Sequence, residues 1–413
     1  RDAQESRGLG DVYKRQGFTY RGRFANREQA ASIGYETSQK AHNALRWLLA
    51  RQGKYIDGEM TVVWKLPQNL KEKDSNLALD VVDLFGDTQE TFLADFDWAA
   101  ECRDEDDIEL DRKFAEKLNQ AMAGYRAKLQ PDDEVIILSV DAATTGRLAV
   151  TYYQEVPGNE FIDRVLQWHQ NCTWPRWIKL HETKKWVFIN NTAPSPNEIA
   201  LAAYGTEQEK GYLACSDKLK KTTIRRILPC IIGLSPKIPA DIVKAAVNRA
   251  SNPQAYSSFV WQNCVAPVAC AMIKYNEFDG KVNSMELEKD RSYLFGQLLA
   301  ILEKVEERAL YLQESKTDDR LTNAKKMWNV YTRRPAITYE RLYSHIVRAY
   351  LKRLNPGARA KIENEIMQII NVLRETDGFN NNPLNERYLL GYYEEREKLM
   401  KSKGEKSNEG GEE

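Results

Sequence analysis

Apolar positions recur with a period near two in parts of the first half of this chain and near 3.6 throughout the second. Phe18–Phe24 alternates aromatic and polar residues as a short strand does, and Asn26 follows as a helix N-cap with Glu28 in the first turn. Ala30, Ile33, Ala41, Ala44, Leu45, Leu48 and Leu49 then keep helical spacing until Gly53. Met60–Leu66 is β-branched and aromatic, Val135–Val140 is a continuous apolar run, and Leu148–Tyr153 is a third strand. Thr144–Arg147 lies between the last two as a hairpin turn. Amphipathic helices are expected over Ile108–Leu129, stopped by Pro131, and over Glu160–Cys172, through Phe161, Ile162, Val165, Leu166 and Trp168.

After Cys215 the pattern is helical only. It predicts helices over Lys218–Ile231, Ala240–Ala250, Tyr256–Tyr275, Arg291–Gln313, Asn323–Thr332, Tyr339–Leu354, Ala358–Arg374 and Glu386–Lys401. Pro229, Pro236, Pro239, Asn252-Pro253, Asp279-Gly280, Arg334-Pro335, Asn355-Pro356-Gly357 and Asn381-Asn382-Pro383 punctuate them. The fold class is α+β, with a mixed α/β body over 17–214 and a C-terminal all-α helical bundle over 215–403. Residues 404–413 are a polar, low-complexity tail expected to be disordered. Arg1–Gln16 has no hydrophobic period and resembles a translated adapter, so it is set apart as non-native; the chain does not begin with Met, and its natural start is expected further upstream.

With 413 residues and 42% hydrophobic composition, the chain can support large cores without disulfides or metals. Its six cysteines contain no CxxC pair, which argues for reduced thiols in a cytoplasmic protein and against zinc fingers or redox motifs. No stretch has the uninterrupted apolar length of a bilayer-spanning helix; the best, Phe259–Ile273, is broken by Gln262, Asn263 and Pro267. The four histidines, His42, His169, His181 and His345, form no HxH or HExxH pair, and no metal or cofactor is expected. GxxxxGK[ST], GxGxxG and GxSxG are all absent, which removes P-loop, dinucleotide-binding and serine-hydrolase readings. A chain without catalytic machinery is therefore expected. The alternative is a metal-dependent nucleic-acid-processing enzyme of a defence system using Asp104, Asp106, Glu109 or a histidine.

Charge changes this picture. Sixty basic and 60 acidic residues cancel, which as an average argues against nucleic-acid binding. The cancellation is segmental. From Asp80 to Asp111 thirteen acids face Arg103 alone, a solvated loop or a docking face for a basic partner. Lys218, Lys220, Lys221, Arg225 and Arg226 sit within a few helical turns. Beyond Arg320, residues Lys325, Lys326, Arg333, Arg334, Arg341, Arg348, Lys352 and Arg353 are opposed only by Glu340. Trp328, Tyr331, Tyr339, Tyr343 and Tyr350 are interleaved with them. Cations that neutralise phosphates and aromatics that stack on unpaired bases make a nucleic-acid surface; the bland alternative is a solvated bundle whose aromatics face inward.

The stretches Leu138–Gln154, Ala193–Gly205, Tyr293–Leu299 and Tyr388–Tyr392, together with Asn43–Leu49 and Val62–Trp64, resemble the large subunit of the type I-C CRISPR interference complex, Cascade, in order along Gly17 to Lys401. The resemblance implies a non-catalytic subunit that works with guide-RNA-containing backbone subunits, contacts target double-stranded DNA and the displaced single strand, and helps recruit a separate helicase-nuclease. It implies no membrane partner. The family's region ahead of Gly17, where flanking-motif readers are expected, is largely missing, which marks the chain as N-terminally truncated. Ile189-Asn190-Asn191-Thr192, ahead of Ala193-Pro194, departs locally from the family pattern, where a tighter, Gly-containing approach is expected. The resemblance also implies a separate small subunit translated internally, for which Met285, ahead of the Arg291 helix, is the candidate start.

Overall fold

A computed structural model describes residues 34–56, 59–66, 78–79, 133–144, 147–179, 186–189, 193–209, 211–278, 287–313 and 322–408. The expected Phe18–Phe24 strand, the Asn26 cap, the acidic Asp80–Asp111 stretch, the Ile108–Leu129 helix, His181 and Met285 lie outside these residues.

The first half is built on an antiparallel sheet of order β1-β2-β4-β5, with β3 also paired to β2. Helix α1 (Tyr35–Gln52) ends at Gly53 and leads into β1 (Lys54–Ile56), β2 (Glu59–Leu66) and β3 (Ala78–Leu79). Strands β4 (Glu134–Thr144) and β5 (Arg147–Pro157) form the expected hairpin, with Thr144 opposite Arg147. Adjacent residues of a strand face opposite sides, and both sides are buried here. Val63 and Ile137 are register partners facing α2 (Gly158–Asn171), where they join Phe161, Ile162 and Val165 in the main core. Val62 and Leu138, the neighbouring pair, face the other way and pack with Leu45 and Leu49 of α1.

Two short hairpins escaped the sequence reading. They are β6 (Arg176–Lys179) with β7 (Trp186–Ile189), and β8 (Thr206–Glu207) with β9 (Leu213–Ala214). Between them α3 (Pro196–Tyr204) starts with a capping box, Ser195 accepting from the Glu198 amide and Glu198 accepting from the Ser195 amide.

From Asp217 onward the described residues are helical or irregular: α4 (Asp217–Ile231), α5 (Ala240–Ala250), α6 (Ala266–Phe278), α7 (Arg291–Gln313), α8 (Asn323–Lys326), α9 (Trp328–Arg333), α10 (Pro335–Ala349), α11 (Pro356–Glu375) and α12 (Arg387–Asn408). The fold is thus a mixed α+β body followed by a helical C-terminal region. The single helix expected over Tyr256–Tyr275 is instead a short turn, Ser258–Val260, a π-helical turn, Trp261–Val265, and then α6. Pro267 has no amide to bond back to Asn263, so the turn ahead of it widens. The Asn323–Thr332 segment divides into α8 and α9 at Met327, and the Tyr339–Leu354 segment begins earlier, at Pro335, and ends in a 3-10 turn, Leu351–Arg353. Helix α12 continues to Asn408, into the stretch expected to be an unstructured tail.

Helices α7 and α12 cross with their backbones in close approach. A Cβ built on Gly296 would stand 2.0 Å from the Tyr388 carbonyl oxygen, and one on Gly391 2.0 Å from that of Tyr293. The two contacts are reciprocal because Tyr293-Leu-Phe-Gly296 and Tyr388-Leu-Leu-Gly391 are the same pattern on facing helices. Two of the strings that carry the family resemblance are therefore packing devices. Trp261 seals this crossing, edge-on to Trp328 at 5.3 Å and to Tyr392 at 5.9 Å. Beside it lies a buried ionic network. Glu303 meets Lys325 at 3.2 Å and Arg396 at 3.3 Å and accepts from the Tyr392 hydroxyl, while Arg396 reaches Glu307 at 3.1 Å.

Candidate nucleic-acid interface

The basic residues marked out by the sequence fall into two groups once their partners are known. On α4, Lys221 Nζ lies 3.3 Å and Arg225 Nη2 3.8 Å from Asp141 Oδ2 in β4. Arg226 makes a bidentate pair with Asp241, at 2.7 and 2.5 Å, and this hydrogen bonding holds the Asp241 carboxyl below its ordinary value. Lys220 is half-buried on the same helix. This cluster ties α4 to the sheet and to α5. Lys325 is also withdrawn from the surface, its side chain only 9% exposed against Glu303. These cations neutralise acids of the same chain, which a reading of local charge density cannot reveal.

The interleaved aromatics are a second correction. Trp328, Tyr331 and Tyr339 are buried. Trp328 Nε1 donates to the Tyr388 hydroxyl at 3.0 Å, and the Tyr331 hydroxyl donates to the Phe295 carbonyl at 2.7 Å. Tyr339 stacks on half-buried Tyr343 with ring centres 5.6 Å apart, and half-buried Tyr350 lies under the Arg353 guanidinium at 5.6 Å. Their rings build the core, so base stacking on Trp328, Tyr331 and Tyr339 is excluded.

The remaining cations, Lys326, Arg333, Arg334, Arg341, Arg348, Lys352 and Arg353, are all exposed, and none forms an ion pair among the described residues. Helix α10 presents the densest part because it is amphipathic. Ala336, Tyr339, Leu342 and Ile346 face the core, while Ile337, Glu340, Arg341, Ser344, His345 and Arg348 line an open groove of ≈ 490 Å³ on the other side. Arg334, at the N-cap, starts a heptad row with Arg341 and Arg348.

His345, which forms no metal-binding pair in the sequence, is exposed and lies in this groove with its ring 6.0 Å from Tyr350. Behind it, Glu306 accepts from the Asn323 backbone amide and side chain, both at 2.8 Å. Burial pushes the Glu306 carboxyl up, opposed by those bonds and by His345. The spacing of residues 341, 344, 345 and 348 was the available sign that His345 and Ser344 share a face with the arginines.

His42, also exposed, is bonded to the Ser38 carbonyl at 2.7 Å, and His169 is buried. Among the described residues no group of three or more His, Cys, Asp or Glu side chains is placed to hold a metal ion. Asp104, Asp106 and Glu109 lie outside them. Cys172, Cys230 and Cys270 are buried thiols, and burial raises the last two above their ordinary values. No helix among the described residues is long and apolar enough to cross a membrane.

No curated protein matches the chain. Residues 13–400 match the family described as CRISPR-associated protein (Cas_Csd1), a match that begins within the Arg1–Gln16 segment set apart above. That span takes in the sheet, the α7–α12 crossing and the exposed arginine row alike, and the chain belongs to this family of CRISPR-associated proteins.

Proposed function

We propose that the chain is a non-catalytic subunit of an RNA-guided CRISPR interference complex of the type I-C Cascade kind, working in the cytoplasm. In this reading the exposed face of α10 and its flanking turns holds the sugar-phosphate backbone of target DNA, in particular the displaced single strand. The observation that carries the proposal is the Arg334–Arg341–Arg348 row, exposed and without an ion pair among the described residues, in a chain whose α4 cations pair with its own acids. Because Trp328, Tyr331 and Tyr339 are buried, phosphate contact rather than stacking on these rings supplies the affinity, and binding is independent of base sequence. Guide-RNA backbone subunits supply the sequence reading, and a separate helicase-nuclease performs cleavage. A separate small subunit started at Met285 would carry this same face.

The test is charge reversal. Substituting Arg333, Arg334, Arg341 and Arg348 together by Glu should weaken retention of single-stranded DNA. It should also flatten the dependence of log affinity on log salt by about 0.7 per lost phosphate contact. Fluorescence anisotropy of a labelled oligonucleotide across a salt series reads both quantities. An unchanged slope in a folded variant refutes the interface. Cleavage of that oligonucleotide by the isolated chain with Mg²⁺ refutes the non-catalytic reading.

A further inference from the structure

We propose that Arg291 is a positioning residue for this interface: it builds the Asp377–Leu384 loop that clamps the α9–α10 elbow carrying Arg333 and Arg334. The proposal rests on the phosphate-contacting reading of that face.

Arg291 opens α7, and its guanidinium serves one loop. Nε donates to the Gly378 carbonyl at 2.8 Å, and Nη2 to the carbonyls of Asn380 at 2.9 Å and Asn382 at 2.7 Å. The guanidinium carbon lies 5.2 Å from the centre of the Phe295 ring, and that ring stacks on Phe379 of the loop at 5.8 Å. The loop leaves α11 through Asp377, whose φ of 51° is a left-handed conformation rare outside glycine. Asn380 closes it internally, accepting from the Asn382 amide and donating to the Asp377 carbonyl, both at 3.0 Å. These bonds tie the loop at Asp377, Gly378, Asn380 and Asn382.

Its outer side holds the elbow at two points. The Leu384 amide donates to the Thr332 carbonyl at 2.8 Å, and Asn381 Oδ1 accepts from the Ile337 amide at 3.0 Å. Thr332 and Ile337 bracket residues 333–336, so the backbone under Arg333 and Arg334 is pinned on both sides. Pro335 removes the remaining freedom at its own φ. The elbow therefore sets how the Arg333–Arg334 pair stands relative to Arg341 and Arg348, and Arg291 sets the elbow without touching DNA. A row of cations binds best when its members are held in place before contact, because ordering them at binding costs side-chain entropy.

The discriminating variant is Arg291→Lys, which keeps the charge but loses the planar fork that holds Nε on the Gly378 carbonyl and Nη2 on those of Asn380 and Asn382. Asn381→Ala is its partner, removing only the hydrogen bond at the start of α10. Both are measured in the full chain by anisotropy with a labelled single-stranded DNA across a salt series, with thermal unfolding alongside. If Arg291 positions the pair, Arg291→Lys lowers the salt slope by up to about 1.4, the share of two phosphate contacts. It then adds nothing further when Arg333 and Arg334 are already Gln. Asn381→Ala should move the slope in the same direction. A lower melting temperature with affinity and slope unchanged overturns the proposal, as does an effect fully additive with the Arg333/Arg334 change. If the fourfold charge reversal itself has no effect, the underlying interface reading has failed. If it weakens binding while Arg291→Lys and Asn381→Ala do not, only the positioning role has failed.

Discussion

The α7–α12 crossing allows a substitution to be worked out closely. In an ordinary exposed helix Gly→Ala stabilises by about 1 kcal/mol, through backbone entropy. At Gly296 the new methyl would stand 2.0 Å from the Tyr388 carbonyl oxygen and 2.8 Å from the Tyr392 amide nitrogen, both backbone atoms that cannot rotate away. Restoring an ordinary contact above about 3 Å requires the helices to part by about 1 Å, which forfeits a quarter to a half of the dispersion energy of each affected contact. The side chains concerned include Phe295, Leu299, Leu389 and Tyr392, all fully buried. Overpacking of this kind costs about 3 kcal/mol, at the upper end of its usual range. Against the gain of about 1 kcal/mol, the net expectation for Gly296→Ala is a loss of about 2 kcal/mol. Gly391→Ala should lose a similar amount, since its methyl meets the Tyr293 carbonyl at the same 2.0 Å. The double variant should lose clearly less than the sum, because helices parted for one methyl have made room for the other. Gly357→Ala is the control: its Cβ meets nothing within 4 Å in the first turn of α11, so it should be neutral or stabilising. Urea unfolding followed by tryptophan fluorescence reads this crossing directly, because Trp261 and Trp328 sit against it. Stability of Gly296→Ala equal to the parent chain, or strict additivity of the pair, refutes the argument.

Two further outcomes separate buried from surface charge. Lys325→Ala strips one of two cations from Glu303 at 0% exposure and should cost about 1–3 kcal/mol, with Arg396 still paired to it, whereas Lys326→Ala on the adjacent exposed position should stay within about 0.5 kcal/mol; urea midpoints compare them. Burial raises the carboxyl of Glu395 above its unfolded value, so between the two values the native chain holds more protons than the unfolded one, and stability falls as pH rises through that window. Glu395→Gln should remove that fall, gaining stability over the parent chain at neutral pH and losing the advantage below about pH 4, as denaturant midpoints across pH would show. A variant equally stable to the parent at neutral pH refutes the burial cost.

Local pattern carried much of the fold. The expected bounds of Ala240–Ala250 and Arg291–Gln313 coincide with α5 and α7, and the β4–β5 hairpin lies where its apolar runs and turn placed it. These succeed because helix and strand periods are properties of neighbouring residues. The π-helical turn before Pro267 was not legible, since a single proline can end a helix, kink it or widen its preceding turn, and packing selects among these. The short β6–β7 and β8–β9 hairpins were missed because four- and two-residue strands carry too few alternations to show a period.

The heptad of Arg334, Arg341 and Arg348 could be read from the chain, as could the local excess of cations around it. Which cations remain available could not. Neutralisation acts through space: Lys221 meets Asp141 across a sequence separation of 80, and Lys325 meets Glu303 on another helix. The same holds for the aromatics, whose alternation with basic residues fits either a stacking surface or an inward face. Sequence by itself determined the helices and the sign of charge along them, because both depend on adjacent residues. Tertiary packing decided that Trp328 and Tyr331 serve the core, that α4's arginines serve internal carboxylates, and that α10 keeps its arginines exposed.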